Sequence, residues 1–273
     1  MSRSEKHRLD LLLLDQRPDL SRNRVQAEIM AGKVTVDGTV CDKPGTLLPC
    51  TADIQLMEPK NPYVSRGGLK MAGALEDLLI VVSDLVVLDV GASTGGFTDC
   101  LLQNGAKLVY ALDVGYGQFA YSLRNDPRVV VMERFNIRNL TAKDLALKPD
   151  LSVIDVSFIS LAKVLPVLAE LRIESVLALL KPQFEVGRTE ASKGSGVIRD
   201  PALHLKVLND FYQFAAEIGY CCCGVAYSRW PGPKGNIEYF MHLIANAEDT
   251  KQCLPDFTSF AARTVAVAHQ KLL

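Results

Sequence analysis

The chain has 273 residues, of which 48% are apolar, and a formal net charge of −1. That length permits one large domain plus a small one, and the near-neutral balance carries no bulk sign of a polyanionic partner. Apolar runs stop well short of the roughly 20 residues that span a bilayer, while seven cysteines without a C-x-x-C pair and four scattered histidines predict reduced, buried thiols in a cytoplasmic protein that holds no metal.

In chain order, the polar start MSRSEKHR does not read as a secretory signal. Leu9 and Leu11–Leu13 suit a short helix ending near Arg17-Pro18. Ser21 can cap a second helix over 22–31, with Gly32 as its stop. Lys33–Val36 alternates, Asp37-Gly38 is a hairpin signal, and Thr39-Val40 continues the strand pair. The run SRNRVQAEIMAGKVTVDG resembles the RNA-binding domain of small-subunit ribosomal protein four. The resemblance implies a small N-terminal α/β RNA-binding domain over 1–57, with Arg8, Arg17, Arg22, Arg24 and Lys33 as phosphate contacts. Acids at Asp10, Asp15, Asp19 and Glu28 interleave with these cations, so charge counting alone does not decide between RNA contacts and a solvated face. Residues 58–64, with two prolines within MEPKNPYV, read as a linker coupling RNA docking to a catalytic domain over 65–273.

Ser65–Lys70, SRGGLK, precedes an apolar-periodic helix over 71–80. Val86–Val90 is a buried-strand pattern that carries Asp89 and runs into a loop with Gly91, Ser93, Thr94, Gly95 and Gly96, then a helix. A strand, a glycine-rich turn and a helix make a nucleotide-cofactor site. A dinucleotide loop would read G-x-G-x-x-G. Here the spacing is D-x-G-x-x-x-G, which resembles the first motif of the class I (Rossmann-like) S-adenosylmethionine methyltransferases. The next strand, Leu108–Leu112, ends at Asp113, where an acid holds ribose hydroxyls in such folds. After a third strand, Val129–Met132, Asn136 and Ile137 stand where the adenine should lie.

Two further strands, Leu151–Ile154 and Val176–Leu180, end in Asp155 and Lys181, and a late strand begins near Glu238. Strand carboxyl ends share one edge of a parallel sheet, so Asp155 and Lys181 should lie beside the glycine loop. Lys70, Asp155, Lys181 and Glu238 match the Lys-Asp-Lys-Glu tetrad of the FtsJ-type ribose 2′-O-methyltransferases. The succession SRGGLK, LDVGASTGG, ALDVGYGQ, VIDVSFISL, LLKPQFE and KGNIEYF resembles the TlyA (hemolysin A) family from about residue 7 to 245.

The resemblance implies an α/β fold, S-adenosylmethionine as cofactor, and 2′-O-methylation of cytidine in ribosomal RNA or a ribosomal subunit. It casts Lys181 as the base that takes the hydroxyl proton, a role open only to a neutral lysine. Lys70 would orient the hydroxyl, Asp155 steer Lys181, and Glu238 anchor Lys70 or the ribose, with no metal needed. One departure is Arg229-Trp230 after Ser228, where the family usually has Ser-Pro and an apolar residue. The lone tryptophan could stack on a base, though packing at the rim is the commoner use. Residues 187–199 read as a mobile polar loop over the active edge, and an antiparallel hairpin is expected near Cys221–Ile244. A membrane-lytic protein and a non-catalytic RNA-binding module are the alternative readings. The absence of a spanning segment argues against the first and the intact tetrad against the second.

Overall fold

The computed structural model describes residues 6–57, 61–187, 196–245 and 253–273. The expected linker and polar loop fall partly outside the described residues, with residues 58–60 in the first and Arg188 and Lys193 in the second. The chain divides into two compact units, Met1–Pro62 and Tyr63–Leu273.

In the first unit β1 (Lys6–Arg8) leads into α1 (Leu9–Gln16) and α2 (Arg22–Met30). Ser21 caps α2, its hydroxyl accepting from the Arg24 N–H at 3.3 Å. β2 (Val34–Val36) lies between β3 (Thr39–Val40) and β5 (Ile54–Leu56), both antiparallel to it, while β1 pairs with β4 (Leu47–Pro49). The β2–β3 turn needs positive φ at both central residues, and Asp37 (50°) and Gly38 (80°) supply it. Leu9, Leu13, Val25, Ile29, Val34 and Ile54 close a small core of their own.

The second unit is a seven-stranded sheet. β6 (Val86–Val90) stands between β7 (Leu108–Leu112) and β9 (Leu151–Ile154), flanked by β8 (Val129–Met132) and β10 (Ser175–Leu180), all parallel. β12 (Tyr239–Ala245) joins β10 antiparallel, and β11 (Tyr220–Tyr227) closes that edge antiparallel to β12. Side chains alternate across the sheet. Leu88, Val90, Ile154 and Leu180 join α6 (Leu165–Glu170), α8 (Pro201–Glu217) and α9 (Phe257–Leu272) on one face. Val87, Val109, Val153 and Leu179 meet α3 (Arg66–Asp77) and α4 (Gly96–Gln103) on the other. Two short helices, α5 (Tyr121–Arg124) and α7 (Pro182–Glu185), complete the unit.

The cysteines depart from expectation. Cys221 and Cys253 form a disulfide, with Cα atoms 5.7 Å apart, while Cys100 and Cys222 are buried free thiols. Along β11 the alternation turns Cys222 into the core and leaves Cys221 half-buried, facing the segment that leads into α9. A separation of 32 positions hides the pair from any spacing rule.

Candidate functional site

The parallel strands deliver Gly91, Asp113, Asp155 and Lys181 to one edge of the sheet. β12 runs the other way, so its beginning, and Glu238 just before it, reach that same edge. Lys70 arrives from α3, whose first turn lies directly against the start of α4. A Cβ on Gly96 would stand 2.2 Å from the Ser65 hydroxyl and 2.9 Å from the Gly68 nitrogen, so only glycine admits this approach.

Four charged residues make two ion pairs here. Lys70 Nζ donates to Glu238 Oε2 at 2.6 Å, and the Glu238 side chain is fully buried. Lys181 Nζ stands 2.6 Å from Asp155 Oδ1 and donates to Ser157 Oγ at 3.1 Å. Gln183 Nε2 reaches Glu238 Oε1 at 3.4 Å, while its own Oε1 is buried without a hydrogen-bond partner. The loop between β11 and β12 folds over Glu238 so closely that a Cβ on Gly232 would meet Oε1 at 2.0 Å.

Two cavities open at this edge and share Gly91, Ser93 and Asp155 in their walls. The one of about 510 Å³, a volume within the range usual for cofactor sites, has apolar walls (Leu112, Ile137, Val156) and polar groups that include Asp113 and Asn136. The second, about 280 Å³, is lined by Lys70, Thr94, Gly96 and the Pro231–Pro233 turn. Gly91, at φ 91°, lies in the wall common to both and packs on the neighbouring strand end, where a Cβ would strike the Asp155 carbonyl at 2.5 Å.

The glycine loop is fixed from two sides. Asp113 Oδ2 accepts from the Ser93 N–H at 2.8 Å, and its Oδ1 accepts from the Gly115 N–H at 2.6 Å. Asp89 lines neither cavity. It lies wholly buried beneath the loop and accepts from the Thr98 hydroxyl at 2.7 Å, with Oδ1 unpaired. Burial pushes its carboxyl up to about 7. Gly95, at φ 96°, starts α4 and faces Leu123 and Phe119 rather than a cavity. Ser93, Thr94, Asn136 and Ile137 all line one or both cavities.

The sequence reading missed Phe158. It is 91% exposed at φ 65°, a conformation that costs a non-glycine residue energy, and it borders the larger cavity. Its ring sits 5.0 Å from that of Phe184. Glu185 braces the two loops, accepting from the Ser160 hydroxyl at 2.7 Å and the Leu161 N–H at 3.0 Å. The available signal was an aromatic residue shortly after a strand-end charge in both VIDVSF and LLKPQF. Trp230 packs on α3, its ring 3.1 Å from where a Gly73 Cβ would be, and Arg229 bonds Asp77 and Glu76 on the same helix. In the first unit every expected phosphate contact is ion-paired: Arg8 and Arg22 with Asp10, Arg17 with Asp19, and Arg24 and Lys33 with Glu28.

A model described as FtsJ-like methyltransferase matches residues 63–244, and one described as S4 domain matches residues 7–49. The chain belongs to the FtsJ-like methyltransferase family, in its TlyA (hemolysin A) group. This TlyA-group chain is 46% identical to YqxC of Bacillus subtilis, whose name carries rRNA methyltransferase, over 98% of this chain and 96% of that one. TlyA of Mycobacterium tuberculosis, named a 16S/23S rRNA (cytidine-2′-O)-methyltransferase, is 48% identical over 83% of this chain and 86% of its own length. A solved Streptococcus thermophilus protein whose name says hemolysin superposes with a TM-score of 0.73 at 40% identity, covering 98% of both chains. In this TlyA-group chain no helix among the described residues is long and apolar enough to cross a membrane. Nor is a group of three or more His, Cys, Asp and Glu side chains gathered for a metal among them.

Proposed function

We propose that this enzyme transfers a methyl group from S-adenosylmethionine to the 2′-hydroxyl of a cytidine in ribosomal RNA, in the cytoplasm. The observation that carries the reading is the pair of lysine–carboxylate contacts at one sheet edge, beside a wall shared by two cavities. The larger cavity fits the cofactor: apolar walls flank a flat ring, and Asn136 offers a polar edge. Asp113, already holding the loop and accepting from Gln118 Nε2 at 3.3 Å, keeps a lone pair on Oδ2 for a ribose hydroxyl. When bound, S-adenosylmethionine supplies a methyl group already activated on a sulfonium.

The chain's own residues then have three tasks. Lys181, in its amine form, takes the hydroxyl proton on Nζ as the oxygen attacks. Asp155 and Ser157 fix where that Nζ stands and stabilise the ammonium that forms. Lys70, held by Glu238, which Gln183 braces in turn, orients the ribose in the smaller cavity. Phe158 and Phe184 present an aromatic surface at the rim on which a nucleobase can stack. The first unit would dock the RNA through its arginines.

Tritium transfer from labelled S-adenosylmethionine to unmodified ribosomal subunits tests the reading. Label in RNA, mapping to a 2′-O-methylcytidine, is the expected result. Cofactor binding without label on either subunit would overturn the substrate.

A further inference from the structure

The arginines of the first unit pose an electrostatic puzzle: each is tied to an acid, yet the unit is read as docking a polyanion. The two partners of Asp10 resolve it. Its side chain is 0% exposed, whereas those of Arg8 and Arg22 are 45% and 54% exposed. Arg8 grips the carboxylate with Nε at 2.9 Å and Nη2 at 3.0 Å. Arg22 Nη2 approaches it at 3.5 Å from α2, and Gln26 Nε2, one turn further along that helix, donates at 2.7 Å. The Arg8 guanidinium also lies against Gly45, where an added Cβ would touch Nη1 at 3.7 Å. A guanidinium held through Nε and Nη2 keeps its Nη1 donors for another acceptor.

We propose that Asp10 is a positioning residue for RNA binding: a buried carboxylate that fixes the Arg8 and Arg22 guanidinium groups as one preorganised site for backbone phosphates. The proposal rests on the RNA-docking reading given above. The Arg8 guanidinium, through its hydrogen bonds, holds the Asp10 carboxyl well below the usual carboxylate range, so the acid stays charged at any working pH. Two cations over one acid leave a net charge of +1, presented by side chains that no longer have to be ordered when a phosphate arrives. The Arg17–Asp19 pair is different. Both its members are exposed, at 38% and 57%, so it opens into solvent at little cost.

The sign of one substitution separates positioning from plain electrostatics. Asp10→Asn makes the unit more positive, so charge counting predicts tighter binding to RNA. Positioning predicts weaker binding by roughly tenfold, the entropy of ordering two rotamer-rich side chains. The full-length chain is titrated against unmodified large and small ribosomal subunits, and methyl transfer is followed in parallel. The expected result is a raised Kd and KM with kcat unchanged at saturation. Asp10→Asn should also add little to Arg8→Ala, because it acts through that side chain. Arg8→Lys provides a second test that leaves the buried acid in place: charge is kept and the fork is lost, and a similar loss of affinity is expected. Equal or tighter binding by Asp10→Asn and wild-type affinity in Arg8→Lys would each overturn the proposal while leaving the docking reading standing. A wild-type chain with no measurable affinity for either subunit would overturn both.

Discussion

Gly232→Ala is the sharpest probe of the site, because it touches no charged group chemically and moves one physically. Gly232 has φ −71°, which alanine tolerates, so the backbone itself raises no objection. The added Cβ would stand 2.0 Å from Glu238 Oε1, whereas ordinary contact begins near 3.4 Å. The carboxylate is fully buried between Lys70 and Gln183 and has no solvent to retreat into. It must shift by the difference, about 1.4 Å, which is enough to open the 2.6 Å contact with Lys70. A misplacement of about 1 Å costs roughly 100-fold in rate, or about 2.7 kcal/mol of transition-state stabilisation. Overpacking should lower stability by about 1–3 kcal/mol. The assay is the initial rate of tritium transfer to saturating ribosomal subunits, with cofactor affinity measured beside it by calorimetry. Glu238→Asp, one methylene shorter, makes room for the new methyl group. In that background Gly232→Ala should therefore cost far less than it does alone. A Gly232→Ala enzyme with wild-type kcat would refute the claim that turnover depends on where Glu238 holds Lys70.

Three other expectations can be checked with the same protein. Lys181→Ala should keep cofactor affinity and abolish methyl transfer, and normal turnover in that variant would remove Lys181 as the base. Asp89 is an acid whose folded pKa is raised, to about 7, so its contribution to stability is present below the unfolded value and lost as pH rises through the folded one. Urea unfolding should therefore show wild type losing up to about 4 kcal/mol relative to Asp89→Asn between pH 4 and pH 7, and parallel pH profiles would contradict the burial of a neutral carboxyl. Phe158→Gly relieves a positive φ and removes an exposed ring. It should raise stability by roughly 1 kcal/mol while increasing KM for ribosomal subunits, and an unchanged KM would remove the stacking role.

The parallel half of the catalytic unit was readable because its strands are apolar runs, four of the five ending in a single informative residue: Gly91, Asp113, Asp155 or Lys181. Period and punctuation fixed the edge at which those residues meet. The sequence did not reveal β1, β4 and β5, since strands of three residues are too short to show a period. The setting of Asp89 was hidden for a different reason. Its place beside the glycines suggested ligand contact, but position 89 shares a strand face with Val87 and points beneath α4, towards Thr98. The disulfide depends on a contact between distant segments, to which local pattern is blind, and the Lys70–Glu238 pairing was open to expectation only through the family resemblance. Phe158 was hidden by the strain that makes it notable, since nothing in a sequence announces a phenylalanine at positive φ.

The reversed direction of β12 has a consequence for how the enzyme comes into being. Lys70 and Glu238 are separated by 168 positions, so the first half of the pair is made long before the second. A nascent chain can complete the five parallel strands, β6 to β10, with the glycine loop, Asp155 and Lys181 all present, and still lack the carboxylate that steadies Lys70. Closing that long loop is slow compared with pairing neighbouring strands. On the proposed mechanism, methyl transfer waits until the hairpin of β11 and β12 has docked, and an interrupted chain that ends before β12 would hold cofactor without being able to spend it.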